Sequence, residues 1–146
     1  DEEILLLKTA GLFHDVGHTV AYDNHEYHGT LIAREMLPKY NYTQEQIDLI
    51  CSVIMSTKLP PEPTNLLENI ICDSDLDYLG RSDFIPVSNS LYEELKAQNK
   101  MGSLNDWNKI QVKFISGHQY FTSTARSLRE VNKQLQIDRI QSLITE

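Results

Sequence analysis

Four of the five histidines in this 146-residue chain stand between positions 14 and 28, as His14, His18, His25 and His28, interleaved with Asp15, Asp23 and Glu26. Imidazole and carboxylate at that density have few structural uses. Together they suit borderline to hard divalent ions such as manganese, iron, magnesium or zinc, whereas all-thiolate sites are softer. His14 and Asp15 are adjacent, and neighbouring side chains on a helix point about 100° apart, so one ion reaches both only from near a helix end. The segment before them, residues 4–7 and 10–13, is almost wholly apolar, and Gly17 just beyond weakens helix. That places the pair at the C-terminal end of a buried helix.

A distant ligand is sought in Asp73-Ser74-Asp75-Leu76-Asp77, which could equally be a solvated acidic face. Wound on a helix, Asp75 falls one turn from Ile71 and from Leu79, whereas Asp73 lies beside Asn69 and Asp77. An ionised carboxylate among apolar neighbours is costly unless paired or bound to metal, so Asp75 is the first choice and Asp73 the second. His25 and His28 share a helix face that continues through Ile32 and Met36 and is expected to pack inward. Lys58 and Arg81 each follow a helix expected to border the site. They offer a point charge and a bidentate fork for phosphate, against the plainer reading of two surface charges.

His14-Asp15 after an apolar helix, then Gly17, then His25-Glu26 at the head of a helix, then DSDLDYLG at residues 73–80, resembles the HD-domain superfamily of metal-dependent phosphohydrolases. The resemblance covers about residues 2–81. It implies an all-α fold, a compact bundle of six to seven helices, and hydrolysis of a phosphomonoester or phosphodiester, often of a small nucleotide. It implies one or two divalent metal ions held by His14, Asp15 and Asp75, with Ser74-Asp75-Leu76 matching the family's terminal aspartate and His25 completing a second site. His18 and Lys58 would then act catalytically on developing charge, and His28 and Arg81 would contact substrate. The family usually takes a further metal histidine from a helix upstream of the doublet, and no histidine precedes His14. Either the chain is truncated at its N-terminus or it lacks that ligand. A second reading is therefore kept: a non-catalytic regulatory module that binds a nucleotide or a partner domain.

The net charge of -8 argues against a nucleic-acid coat or an anionic membrane surface as partner, since both reward clustered positive charge. It allows a small phosphorylated substrate, because bound divalent ions reverse the local sign. Cys51 and Cys72 sit in apolar helical patterns as small hydrophobes, which fits a reducing cytoplasm. No apolar run approaches the roughly 18 residues of a membrane span. The chain opens on Asp1-Glu2-Glu3 without Met, so it is expected to be part of something longer.

One domain over residues 1–146 is expected. Helices are predicted at residues 2–13, 25–37 with Asp23-Asn24 as N-cap, and from a capping box at Thr43 through Ile54. Others follow at 66–79, stopped by Gly80, then 87–98, 104–116 and 123–144. The last is expected to bury Leu128, Val131, Leu135, Ile140 and Ile144 and expose Arg126, Arg129 and Lys133, or to serve as a homodimer element.

Overall fold

A computed structural model describes residues 1–146 as seven α-helices and three short 3₁₀ turns, with no strand. The fold is all-α. The chain divides into two compact units, residues 1–75 and residues 76–146.

The first unit contains α1 (Glu2–Phe13), α2 (His25–Met36), α3 (Gln44–Ser56) and α4 (Leu66–Asp75). Helix α3 is its centre, packing against the other three and burying Ile47, Ile50, Cys51, Val53 and Ile54. Side chains of this kind each contribute roughly 1.5–3 kcal/mol when taken out of water. The start of α3 is fixed locally, as the Thr43-Gln44-Glu45-Gln46 spacing demands. Thr43 Oγ1 accepts the Gln46 N–H at 3.2 Å, and Gln46 Oε1 accepts the Thr43 N–H at 2.9 Å. Helix α4 begins where Asn65 Oδ1 accepts the Glu68 N–H at 3.0 Å. The buried Glu68 carboxylate accepts from Ser52 Oγ at 2.7 Å and from the Thr64 N–H and Oγ1 at 2.7 and 2.9 Å, tying α4 to α3. Burial pushes its pKa up, but those donors outweigh it and hold the group below its ordinary value.

Two expectations for this unit are corrected. Helix α1 buries Leu6, Thr9 and Ala10 but leaves Leu12 80% exposed, with Ile4 and Leu5 also outward. A helix apolar all round can turn only part of its surface to its neighbours. Helix α2 buries Glu26, Gly29, Thr30 and Ala33 rather than the face through Ile32 and Met36. Its small residues permit close approach: a Cβ on Gly29 would lie 2.8 Å from the Phe13 carbonyl oxygen. The N-cap of α2 is Asn24, with φ 57° and no side-chain cap bond. Asparagine serves there by tolerating the left-handed conformation.

The second unit holds a 3₁₀ turn, Asp77–Gly80, then α5 (Phe84–Ala97), α6 (Leu104–Gly117) and α7 (Ser123–Gln141). Its core is Leu76, Leu79, Phe84, Ile115, Ile137 and Ile140. Helix α4 was expected to reach Leu79 but ends at Asp75. Tyr120 Oη donates to the Leu76 carbonyl at 3.0 Å, which also accepts the Leu79 N–H of the 3₁₀ turn at 3.2 Å. Gly80 is required where the turn meets α7, because a Cβ there would stand 2.4 Å from the Arg129 carbonyl oxygen.

Helix α7 buries Ile140 and exposes Arg126 as expected, but otherwise departs from the expected face. Leu128, Val131 and Leu135 are exposed, whereas Lys133, Ile137 and Ile140 are buried. The cations have partners on the inner side. Arg129 Nε and Nη2 donate to Asp77 at 2.7 and 3.3 Å, and Lys133 Nζ donates to the His118 carbonyl at 2.8 Å while lying 2.8 Å from Glu130 Oε1. Long stems bury well when their heads are paired. No helix is long and apolar enough to cross a membrane.

Candidate metal centre

The last turn of α1 delivers His14. Its backbone N–H still bonds to the Ala10 carbonyl at 2.9 Å, so the residue continues the helical path and its ring projects beyond the helix end. Ring atom Nδ1 lies 2.7 Å from the Gly11 carbonyl oxygen. A carbonyl oxygen only accepts, so Nδ1 carries a proton and donates. The other nitrogen, Nε2, faces two carboxylates: Asp15 Oδ2 at 3.2 Å and Asp75 Oδ1 at 3.2 Å.

This arrangement is incomplete as neutral chemistry. Were His14 neutral, its Nε2 lone pair would meet carboxylate oxygens on two sides with no donor among them. Something positive must sit there, either a proton or a cation. With a proton, hydrogen bonds to Asp15 and then Asp75 push the His14 pKa from 6.5 up to about 10, against the opposing effect of burial. The Asp15 carboxyl is held below its ordinary value, chiefly by the hydrogen bond from His14. A divalent ion meets the same demand, and the spacing suits it. Two ligands about 2.1 Å from one ion and at a right angle stand about 3.0 Å apart, close to the separations here. The carbonyl bond that fixes the outer nitrogen also fixes the tautomer a metal-ligating histidine needs.

A second group adjoins the first and shares Asp15 with it. Asp15 Oδ1 is 3.4 Å from His25 Nε2 and 3.9 Å from His18 Nε2. The His18 and His25 rings stack, with centroids 3.8 Å apart and planes 17° from parallel. His25 Nε2 also lies 3.4 Å from Oε1 of the buried Glu26. In each trio, His14, Asp15 and Asp75 or Asp15, His18 and His25, the potential ligand atoms lie within 4.8 Å of one another. Asp15 thus turns one oxygen to each.

The short 3₁₀ turn Val16–Thr19 makes the second trio possible. It lies directly on the N-terminus of α2, where a Cβ on Gly17 would fall 1.7 Å from the His25 carbonyl oxygen and 2.7 Å from the Gly29 nitrogen. Only glycine fits. The doublet and His25 thereby arrive at one place from two helices.

Residues 1–77, more than half of the chain, match the model of the HD domain. The chain belongs to the HD-domain family. No curated protein matches it, and neither does any solved structure. HD domains bind divalent metals and generally serve as metal-dependent hydrolases of phosphorylated substrates, and the two trios fall within the matched residues.

The remaining candidates belong to neither trio. His28 follows His25 by three residues, belongs to neither trio, and has its ring 5.9 Å from that of Tyr27. Lys58 is exposed beyond the C-terminus of α3 and lines a surface hollow there. Arg81 lies in the second unit, where its guanidinium is bound by Asp83 and stands 3.7 Å from Asp77. Asp73, the second choice for a distant ligand, is the more buried of the two aspartates, at 5% exposure. Asp75, whose side chain is 29% exposed, is the one beside His14. Sequence reasoning missed Gly17 and Gly29 as the pair that lets α2 approach. Gly17, inside the histidine cluster, was read only as a helix weakener, and Gly29, directly after His28, was not read at all.

Proposed function

We propose that the chain is a metal-dependent phosphohydrolase that cleaves a phosphomonoester or phosphodiester of a small nucleotide. The observation that carries this reading is the His14 ring, with Nδ1 committed to Gly11 and Nε2 aimed between the Asp15 and Asp75 carboxylates. His14, Asp15 and Asp75 would hold one ion, and Asp15 with His25 a second. When bound, such ions acidify water and polarise a phosphoryl oxygen.

The chain's own groups supply the rest. His25 and Asp15 orient the reacting end of the substrate. The stacked His18 is the proton carrier, since its Nε2 stands beside the site, 3.9 Å from Asp15 Oδ1. Water attacks phosphorus in line with the ester oxygen, and the bond between phosphorus and that oxygen breaks. His18 Nε2 takes the proton released by the water and returns it to the leaving oxygen, so the products are a phosphate and an alcohol. The Lys58 ammonium offsets charge growing on the phosphoryl oxygens.

Hydrolysis of p-nitrophenyl phosphate and of nucleoside monophosphates in the presence of manganese tests the reading. His14→Ala should abolish turnover, and His18→Gln should lower kcat by about 100-fold or more, the usual worth of a positioned proton carrier. Equal turnover by His14→Ala and the parent protein would overturn it.

A further inference from the structure

We propose that the hollow where residues 80–83 meet α7 is a binding site for a phosphate group, held by Arg81 and Arg129; it is built wholly from the second unit and stands apart from the catalytic reading. The hollow measures about 570 Å³ and is lined by Gly80, Arg81, Ser82, Asp83, Arg129 and Asn132. That volume lies within the roughly 300–1,000 Å³ of small-molecule sites, so it has room for an organic group attached to the phosphate.

Both guanidiniums are fixed in place by the protein itself. Arg129 Nε and Nη2 donate to the two oxygens of Asp77 at 2.7 and 3.3 Å. Arg81 Nε and Nη2 donate to the two oxygens of Asp83, the first at 2.8 Å. Asp77 Oδ2 also stands 3.7 Å from Arg81 Nη1, near enough to join the four side chains electrostatically and too far for a hydrogen bond. A guanidinium carries five N–H groups in a rigid fork, so each arginine spends only part of its donors on its aspartate, and the Nη1 group of each keeps its own. The Ser82 hydroxyl and the Asn132 amide make no bond within the protein.

The lining sets the class of ligand. It has no apolar side chain, so a hydrophobic group gains nothing there. Its carboxylate, Asp83, is already spent on a guanidinium, which leaves a cation little to bind. What remains is a surplus of donors, and it calls for a ligand that accepts. The surrounding charge agrees: residues 76–146 carry nine Lys and Arg against eight Asp and Glu, whereas residues 1–75 carry four against 13. An anion is repelled less by the second unit than by the first. Asp77 and Asp83 cancel the formal charge of the two arginines, so the attraction comes from hydrogen bonds of fixed direction. A phosphate group presents three strong acceptor oxygens and takes arginine forks bidentately, whereas a carboxylate presents two and leaves donors unmatched.

Titration of chelator-treated protein with inorganic phosphate at fixed ionic strength, followed by calorimetry and by the Asn132 side-chain amide resonances, tests the site. A dissociation constant of about 1 mM or tighter is expected, with the Asn132 signals moving, and acetate should bind about tenfold more weakly or worse. Arg81→Met, at an exposed position, and Arg129→Lys, which keeps a cation for Asp77 but loses the fork, should each weaken phosphate binding by about tenfold or more. Asp75→Ala should leave it unchanged, because the metal centre is not involved. Phosphate binding that survives both arginine variants, binding that Asp75→Ala removes, unmoved Asn132 signals, or equal affinity for acetate would each overturn the inference. Tighter binding of ribose 5-phosphate than of inorganic phosphate would identify an ester as the ligand and the reverse order the free ion; either upholds the site.

Discussion

The proton between His14 and its two aspartates makes the metal-free protein's stability depend on pH in a specific direction. The His14 pKa rises on folding from 6.5 to about 10, so its contribution is fully present below pH 6.5 and is lost as pH climbs toward 10. The Asp15 carboxyl moves down from 3.8, so its contribution is present above that value and lost on acidification. Both describe one interaction, which is complete only between about pH 4 and pH 6.5. At about 1.4 kcal/mol per tenfold change in proton affinity, the His14 displacement sets a ceiling near ~5 kcal/mol. Asp15 is 60% exposed, and screening by solvent reduces this to roughly 1–2 kcal/mol. Urea unfolding of chelator-treated protein at pH 6, 8 and 10 measures it, with His14→Gln as reference. The difference between parent and variant should shrink by that amount across the range. Manganese should reverse the trend, stabilising the parent more at pH 8 than at pH 6, because proton and metal compete for Nε2. Parallel pH profiles for parent and variant without metal would refute the reasoning.

Three further outcomes follow from single contacts. Gly17→Ala forces a methyl into the His25 carbonyl and should cost about 3 kcal/mol or more in thermal or urea unfolding, with loss of bound metal, since backbone rather than a flexible side chain must move. Glu68→Ala strips Ser52 and Thr64 of their buried acceptor and should cost about 2–3 kcal/mol by urea unfolding. Because the Glu68 pKa is depressed, its contribution is present above the ordinary glutamate value and fades on acidification, so the gap between parent and variant should narrow below pH 4.5. Lys133→Met keeps the buried stem but removes the bonds to the His118 carbonyl and Glu130; it should lower stability by about 1–3 kcal/mol, read by calorimetry, while leaving metal content unchanged.

Local signals were the ones legible in the sequence. The bounds of α1 and the capping box of α3 depend on residues within a few positions of one another, and both stand where the sequence placed them. The end of α4 was not legible, because no breaker precedes Gly80 and the hydroxyl that joins the Leu79 N–H on the Leu76 carbonyl comes from the distant Tyr120. The inner face of α7 was misread for a similar reason. Hydropathy favours burying Leu128, Val131 and Leu135, but Asp77 and the His118 carbonyl hold Arg129 and Lys133 inward. At the candidate site, the residue types and the doublet's place at a helix end could be read directly. Burial, which singled out Asp75 in the sequence, belongs more fully to Asp73 in the fold. What puts Asp75 beside His14 is the packing of α4 against α1 across 61 positions, and no periodicity within α4 encodes that.

The most direct measurement is the metal content, by plasma mass spectrometry, of untagged protein purified without chelator, for the parent chain and for Asp75→Ala. A near-stoichiometric divalent ion is expected in the parent and a fall of about tenfold or more in the variant, since Asp75 supplies one of the three ligand atoms around His14. Equal metal in both proteins, or none in the parent after incubation with manganese, iron, magnesium and zinc in turn, would contradict a metal centre built on His14, Asp15 and Asp75.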